Sequence, residues 1–409
     1  MKALPLRHRI PAWLVVAAVA GIAACATMDS PLGEYDDSSE PSGVPDPAAA
    51  ADGGTDAEPT DVDAGPCADC EYFPEVCTPD ALCAGGPFDP NTPGGSLDLR
   101  ARIMVIRGRS SSDVWAAGAL GALAHFDGTT WRRSDPGPRE TMRALWLRDS
   151  EEIAVTLPTR FYARGVDGGA APSADGWTVH DTAGPLPPSF MSMFVQFESA
   201  WAAPGSDSLW CAMRVATPGL TSGLWRLRRS PTSAFELGLG VPAEVCTELP
   251  CLDMRSLHGA SANELWAVGP RGAALRITNA ESETPSVKAF NSRTWDALNG
   301  VWAASASEAW AVGAGGTIRH YAGHPIDWEV VSDVPTTSHL NAVWGSSSSD
   351  VWAVGDAGVV LHYDGKTWSR VKVAGLGARR PDLMTVWTSA PGHVWIGGHG
   401  VILSLGGKP

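Results

Sequence analysis

Between residues 97 and 409 the chain repeats itself with a period of about 40 to 56 residues, and this limits the fold more than any other feature. The clearest copy runs from Ala342 to Trp368. It contains Val351-Trp352-Ala353-Val354-Gly355 and Asp364-Gly365-Lys366-Thr367-Trp368. Residues 105–131 align with it without a gap and match at fifteen of twenty-seven positions, so the unit is a duplicated structural module. Other copies centre on Trp266, Trp310 and Trp395. Two degenerate copies, around Ile153-Ala154-Val155 and Leu209-Trp210-Cys211, bring the number to seven.

Each copy reads as four short strands. An inner strand such as 340–344 leads through a serine-rich turn to a strand that is apolar on both faces, as burial between neighbouring sheets requires. A glycine-bounded hairpin leads to a third strand, and an Asp-Gly turn leads to the outer strand at Trp368. Four-stranded units of about 40 residues stacked radially describe a β-propeller; the alternative is a solenoid. The seventh copy ends at Leu405 without an outer strand. Residues 97–102 belong to no unit and are expected to supply that strand and close the ring. The expected fold is therefore all-β, a seven-bladed propeller of four-stranded blades over residues 97–409.

The N-terminus is of a different kind. Lys2, Arg7 and Arg9 precede the apolar run Ala12–Ala24, which is too short for a spanning helix of about 20 residues. The run ends in Ile22-Ala23-Ala24-Cys25, which resembles a bacterial lipobox. That resemblance implies acylation of Cys25 and a membrane contact through the lipid, and Ala26 after the cysteine favours the outer membrane. Residues 26–66 carry eleven acids and no Lys or Arg, a composition that cannot bury enough apolar surface to fold. They are read as a solvated tether between the signal (1–25) and a Cys-rich segment (67–96). The whole chain carries −15, and nothing in it is basic enough to suggest nucleic acid.

In an exported protein, cysteines are read first as disulfides. Cys67, Cys70, Cys77 and Cys83 allow three pairings among themselves or a four-thiolate zinc site, with disulfides favoured. Cys246 and Cys251 are expected to close a small loop, and Cys211 is left as a buried thiol.

The repeats resemble the Trp-rich propeller repeats of large bacterial envelope lipoproteins. They are more distantly similar to kelch, WD-repeat and sialidase Asp-box propellers. Asp127-Gly128-Thr129-Thr130-Trp131 and Asp364–Trp368 are one residue shorter than the Asp-box pattern D-x-G-x-T-W. The resemblance implies a fold, and it leaves several functions open: recognition or scaffolding of a protein or glycan, envelope assembly, or sialidase-like carbohydrate chemistry.

Recurrent polar residues are expected to serve the repeat. His125, His320 and His362 occupy one position in three blades, which the ring holds apart, so no shared metal is expected. Asp113, Glu264, Glu308 and Asp350 recur before the second strand and are expected to order the turn. Gly365-Lys366-Thr367 lacks the earlier glycine of a phosphate loop, and neither G-x-S-x-G nor H-E-x-x-H occurs. Neither a cofactor nor a catalytic set is expected. Function is instead expected at positions that do not repeat. Aligning the inner strands gives a mixed ring at the channel mouth: Met104, Arg143, Glu198, Arg255, Asn299, Asn341 and Met384. Around it, stretches 178–198, 230–253 and 278–297 are read as long connections.

Overall fold

The computed structural model describes residues 69–183, 195–215, 222–230 and 234–407. Cys25, the acidic stretch 26–66 and Cys67 lie outside the described residues. The chain divides into units 1–63 and 64–409, and every described residue belongs to the second.

Seven separate sheets form a β-propeller. Six blades contain four consecutive antiparallel strands. In the sixth these are Leu340–Ser347, Asp350–Gly355, Val360–Tyr363 and Trp368–Arg370. The seventh has Leu383–Ala390, His393–Gly398 and Val401–Leu405 and takes its outer strand from the other end of the chain.

That closing strand corrects the expectation for residues 97–102. It is Leu82–Gly85, in the Cys-rich segment, antiparallel to Val401–Leu405 with Leu82 opposite Leu405. Val373–Ala374 adds a fifth, parallel strand outside it. Residues 97–102 instead pack at the seam between the last and first blades. Leu97 is buried there, Gly400 N–H donates to the Ala101 carbonyl (2.8 Å), and Arg102 bridges to His399. The Cys77–Cys83 disulfide holds the chain just before the closing strand; Cys70 is also disulfide-bonded. Cys246 pairs with Cys251 as expected. Cys211 is a free thiol, fully buried, and burial pushes its pKa up.

The repeat motif follows from two close packings. The glycine that ends Trp-Ala-Val-Gly lies against the carbonyl that precedes its own blade's inner strand. A Cβ at Gly118, Gly313 or Gly355 would stand 2.0 Å from the oxygens of Arg102, Ala297 and His339. These glycines are extended, so what fixes them is space. The second packing joins neighbouring blades. Trp302 from the fifth inner strand lies over Gly345 of the sixth, and Trp387 from the seventh lies over Gly108 of the first, each 2.6 Å from a would-be Cβ.

The recurrent histidines and acids pair within their own blades. His125 stacks on Trp115 (4.4 Å between centroids) and meets Asp113 at 2.8 Å; His362 stacks on Trp352 (4.2 Å) and meets Asp350 at 2.8 Å. His320 stacks on Trp310 and lies 3.7 Å from Glu308, while in the fourth blade Arg276 takes the histidine's place and pairs with Glu264. The acids therefore tie the second strand to the third, a role beyond the turn expected of them. Burial pushes the Asp350 carboxyl up, but hydrogen bonds from His362, Ser346 and Trp352 outweigh it and hold the pKa below the usual value.

One inner-strand level faces the axis in every blade. It holds Arg107, Trp146, Trp201, His258, Trp302, Trp344 and Trp387, in blade order. The Arg107 guanidinium sits over the Trp344 ring (4.3 Å). His258 lies among Trp201, Trp302 and Trp344, and its Nδ1 accepts the Ala303 N–H at 3.1 Å. Burial, and secondarily the Arg107 charge, push its pKa well below the ordinary 6.5. The unfolded chain then binds a proton at His258 that the folded chain refuses, so stability is full above pH 6.5 and falls as pH drops below it. The limiting slope for one such group is about 1.4 kcal/mol per pH unit. Urea titrations at pH 7 and 5 should show a loss of stability in the wild type that is smaller in His258→Asn, which keeps an acceptor for Ala303.

Candidate functional site

The head of each inner strand builds the channel mouth. Met104, Glu198, Asn299, Asn341 and Met384 each fall where the ladder to the second strand skips a residue, a β-bulge that frees the side chain from the sheet. Arg143 and Arg255 stand just before their strands, their N–H groups donating to Val155 and Val268. All seven side chains line one axial cavity of about 290 Å³. The structure thus brings the sequence-aligned ring together.

The ring is uneven. Blades two, three and four contribute Arg143, Glu198 and Arg255, while blades five, six, seven and one contribute Asn299, Asn341, Met384 and Met104. Two further cations reach the cavity, Arg214 and Arg107. Neither belonged to the aligned ring. Arg214 lies on the second strand of the third blade, Ser208–Val215, which runs past the point where five of the other blades have Gly. That departure from Trp-Ala-Val-Gly was the available sequence signal. Arg107 replaces the tryptophan of the axial level, a substitution visible once the inner strands are aligned.

Hydrogen bonds fix the polar half. Arg255 Nη1 donates to Asn299 Oδ1 (2.5 Å), and Asn299 Nδ2 donates to the Leu340 carbonyl (2.9 Å). Asn341 Nδ2 donates to Asp356 and to the Leu383 carbonyl. Arg214 Nε lies 3.8 Å from Asp253. Burial pushes the Glu198 carboxyl above its ordinary value, against the pull of Arg143, Arg214 and Arg255; Asp253 adds to the upward push. Such a site can hold an anion, and in Glu198 it has one group suited to exchanging a proton.

The surrounding loops differ from the expectation. Stretches 178–198, 230–253 and 278–297 each include their blade's outer strand (Thr178–Asp181, Phe235–Leu239 and Ser286–Ala289), so the true connections are shorter. The longest, 240–255, carries the Cys246–Cys251 loop and leads into Arg255. Beside it lies a groove of about 680 Å³ edged by Pro250, Phe290 and Trp295, the last 85% exposed. Several of its polar groups are committed internally: Asn291 Nδ2 donates to Asp327 and Ser292 Oγ to the Gly272 carbonyl, while Arg271 adds a cation at its edge. The axial cavity, with guanidinium groups that no carboxylate pairs among the described residues, is the better candidate.

No family model matches this chain, and no curated protein does. Solved propellers do. The structure titled YCF48 bound to D1 peptide is 18% identical, with a TM-score of 0.53 over 79% of this chain and 96% of that one. YCF48 from Cyanidioschyzon merolae is 14% identical, with a TM-score of 0.53 over 76% and 96%. Virginiamycin B lyase from Staphylococcus aureus is 12% identical, with a TM-score of 0.54 over 75% and 94%. At these identities the likeness is one of fold: the chain is a seven-bladed β-propeller whose relatives in shape include both a peptide-bound protein and a lyase.

Proposed function

We propose that this chain is a lipid-anchored propeller of the bacterial outer membrane that recognises a protein partner through the face around its axial cavity, without catalysis. One observation carries the reading. The residues that break the repeat, Arg143, Glu198 and Arg255, come from three consecutive blades and gather at one cavity. A rigid ring that varies side chains at one mouth is a recognition scaffold. The D1 peptide in the YCF48 structure supports a protein partner over a glycan. Residues 26–66, read from their composition as a tether, would link acylated Cys25 to the domain.

The full chain, expressed with its signal, should capture a defined protein from envelope extracts. Arg143→Glu with Arg255→Glu should lose that protein while keeping the wild-type melting temperature. An unchanged partner set would overturn the proposed face. Cys25→Ser should abolish fatty-acid labelling and release the protein from the membrane fraction; labelling that persisted would remove the anchor from the proposal.

A second reading is favoured by the convergence of Glu198 with three arginines: an acidic substrate held by the guanidinium groups and protonated or deprotonated by Glu198. It applies to sialidase-like chemistry as to other reactions of acidic substrates. Turnover of an acidic glycan that disappears in Glu198→Gln would favour it over recognition alone.

A further inference from the structure

We propose that the axial cavity is a binding site for a small aliphatic carboxylate, its carboxylate held between Arg143, Arg214 and Arg255 and its apolar body against Met104 and Met384. The proposal deepens the recognition reading and rests on the same cavity.

Charge points to an anion. Four guanidinium groups line the cavity, and only Glu198 lines it as a carboxylate; Asp253 stands behind Arg214. Two positive charges remain uncompensated on a protein whose total charge is −15. Among the described residues no carboxylate makes an ion pair with Arg107, Arg143 or Arg255. Arg107 instead rests on Trp344 and donates to the Ile106 carbonyl at 2.7 Å. Cations assembled with too few carboxylates to neutralise them in a concave site are poised for charge-assisted bonds to an anion.

Shape points to an apolar body on that anion. Arg143, Glu198, Arg214 and Arg255 stand on blades two to four and Arg107 on blade one, while Met384 and Met104 complete the lining from blades seven and one. Thioether side chains are soft apolar surface that adapts to an alkyl chain. An inorganic anion would satisfy the arginines and leave the methionines unused. A ligand with an acidic end and an apolar end uses both sides, and about 290 Å³ suits a molecule of several heavy atoms.

Glu198 supplies a test that does not depend on damaging the fold. It is the internal anion that competes for the same arginines, so neutralising it should tighten binding.

The experiment is calorimetric titration of the full chain with hexanoate, its neutral isostere hexanamide, and inorganic phosphate. Hexanoate should bind at least tenfold more tightly than hexanamide or phosphate. Arg143→Gln with Arg255→Gln should weaken it at least tenfold, Glu198→Gln should strengthen it severalfold, and Arg132→Gln on the outer rim should leave it unchanged. Equal binding of hexanoate and hexanamide, preference for phosphate, no binding, or weakening in Glu198→Gln would each overturn the proposal. Failure here while Arg143→Glu with Arg255→Glu still strips the protein partner would remove the carboxylate ligand and leave the recognition reading standing.

Discussion

Shortening the chain to begin at residue 87 should open the ring and lower the melting temperature by roughly 5–15 °C relative to a chain beginning at residue 64. The truncation removes Leu82–Gly85, the outer strand of the last blade, and with it the backbone ladder to Val401–Leu405. It also removes Leu82, which is fully buried with Val360, Val373 and Leu403; emptying such a site costs about 2–5 kcal/mol by itself. Val401–Leu405 would then present an unpaired apolar edge, so the truncated chain should also self-associate, as light scattering can show. The single change Leu82→Asp should reproduce most of the loss without shortening the chain. Cys77→Ser with Cys83→Ser should do less, about 2 kcal/mol, because that disulfide closes a loop of only a few residues. If the chain from residue 87 melted with the chain from residue 64, closure by Leu82–Gly85 would contribute nothing to stability.

Gly313→Ala should destabilise far more than Gly315→Ala, although the two residues are neighbours in the fifth blade. At Gly313 the added Cβ meets the Ala297 carbonyl at 2.0 Å, a contact between backbones that no rotamer change relieves. The blade must shift, and overpacking of this kind costs about 3 kcal/mol or more. Gly315 has φ +62 and open space around it. Its counterparts are Leu120, Arg271 and Ala357, all left-handed, so a side chain there costs only about 1 kcal/mol of backbone strain. Denaturant midpoints of the two variants measure the difference directly. Comparable losses would mean that the glycine of Trp-Ala-Val-Gly is fixed by something other than the carbonyl beneath it.

These contrasts show how far the residues could be read before the fold was known. The motif around Trp352 located the strands because its apolar run is buried on both faces. The alignment also found the axial ring, because residues at one repeat position occupy one level of the propeller. Arg214 escaped it by lying on a second strand in the most degenerate blade. The loops were overestimated because outer strands such as Ser286–Ala289 are short and half solvated and leave a faint pattern.

The sequence by itself determined the blade count, the inner strands and the residues of the channel-mouth ring. A repeat imposes the same local packing wherever it occurs. Only the tertiary structure decided what happens where the repeat stops. The last blade needed a partner for its open edge, and any short segment with room for a backbone ladder could have served. Leu82–Gly85 won because Leu82 completes the core around Val373 and Leu403, contacts that lie hundreds of residues apart and carry no local signal. The axial cavity is also a product of the ring, since Arg143, Glu198, Arg214 and Arg255 become neighbours only when the blades stand around one axis.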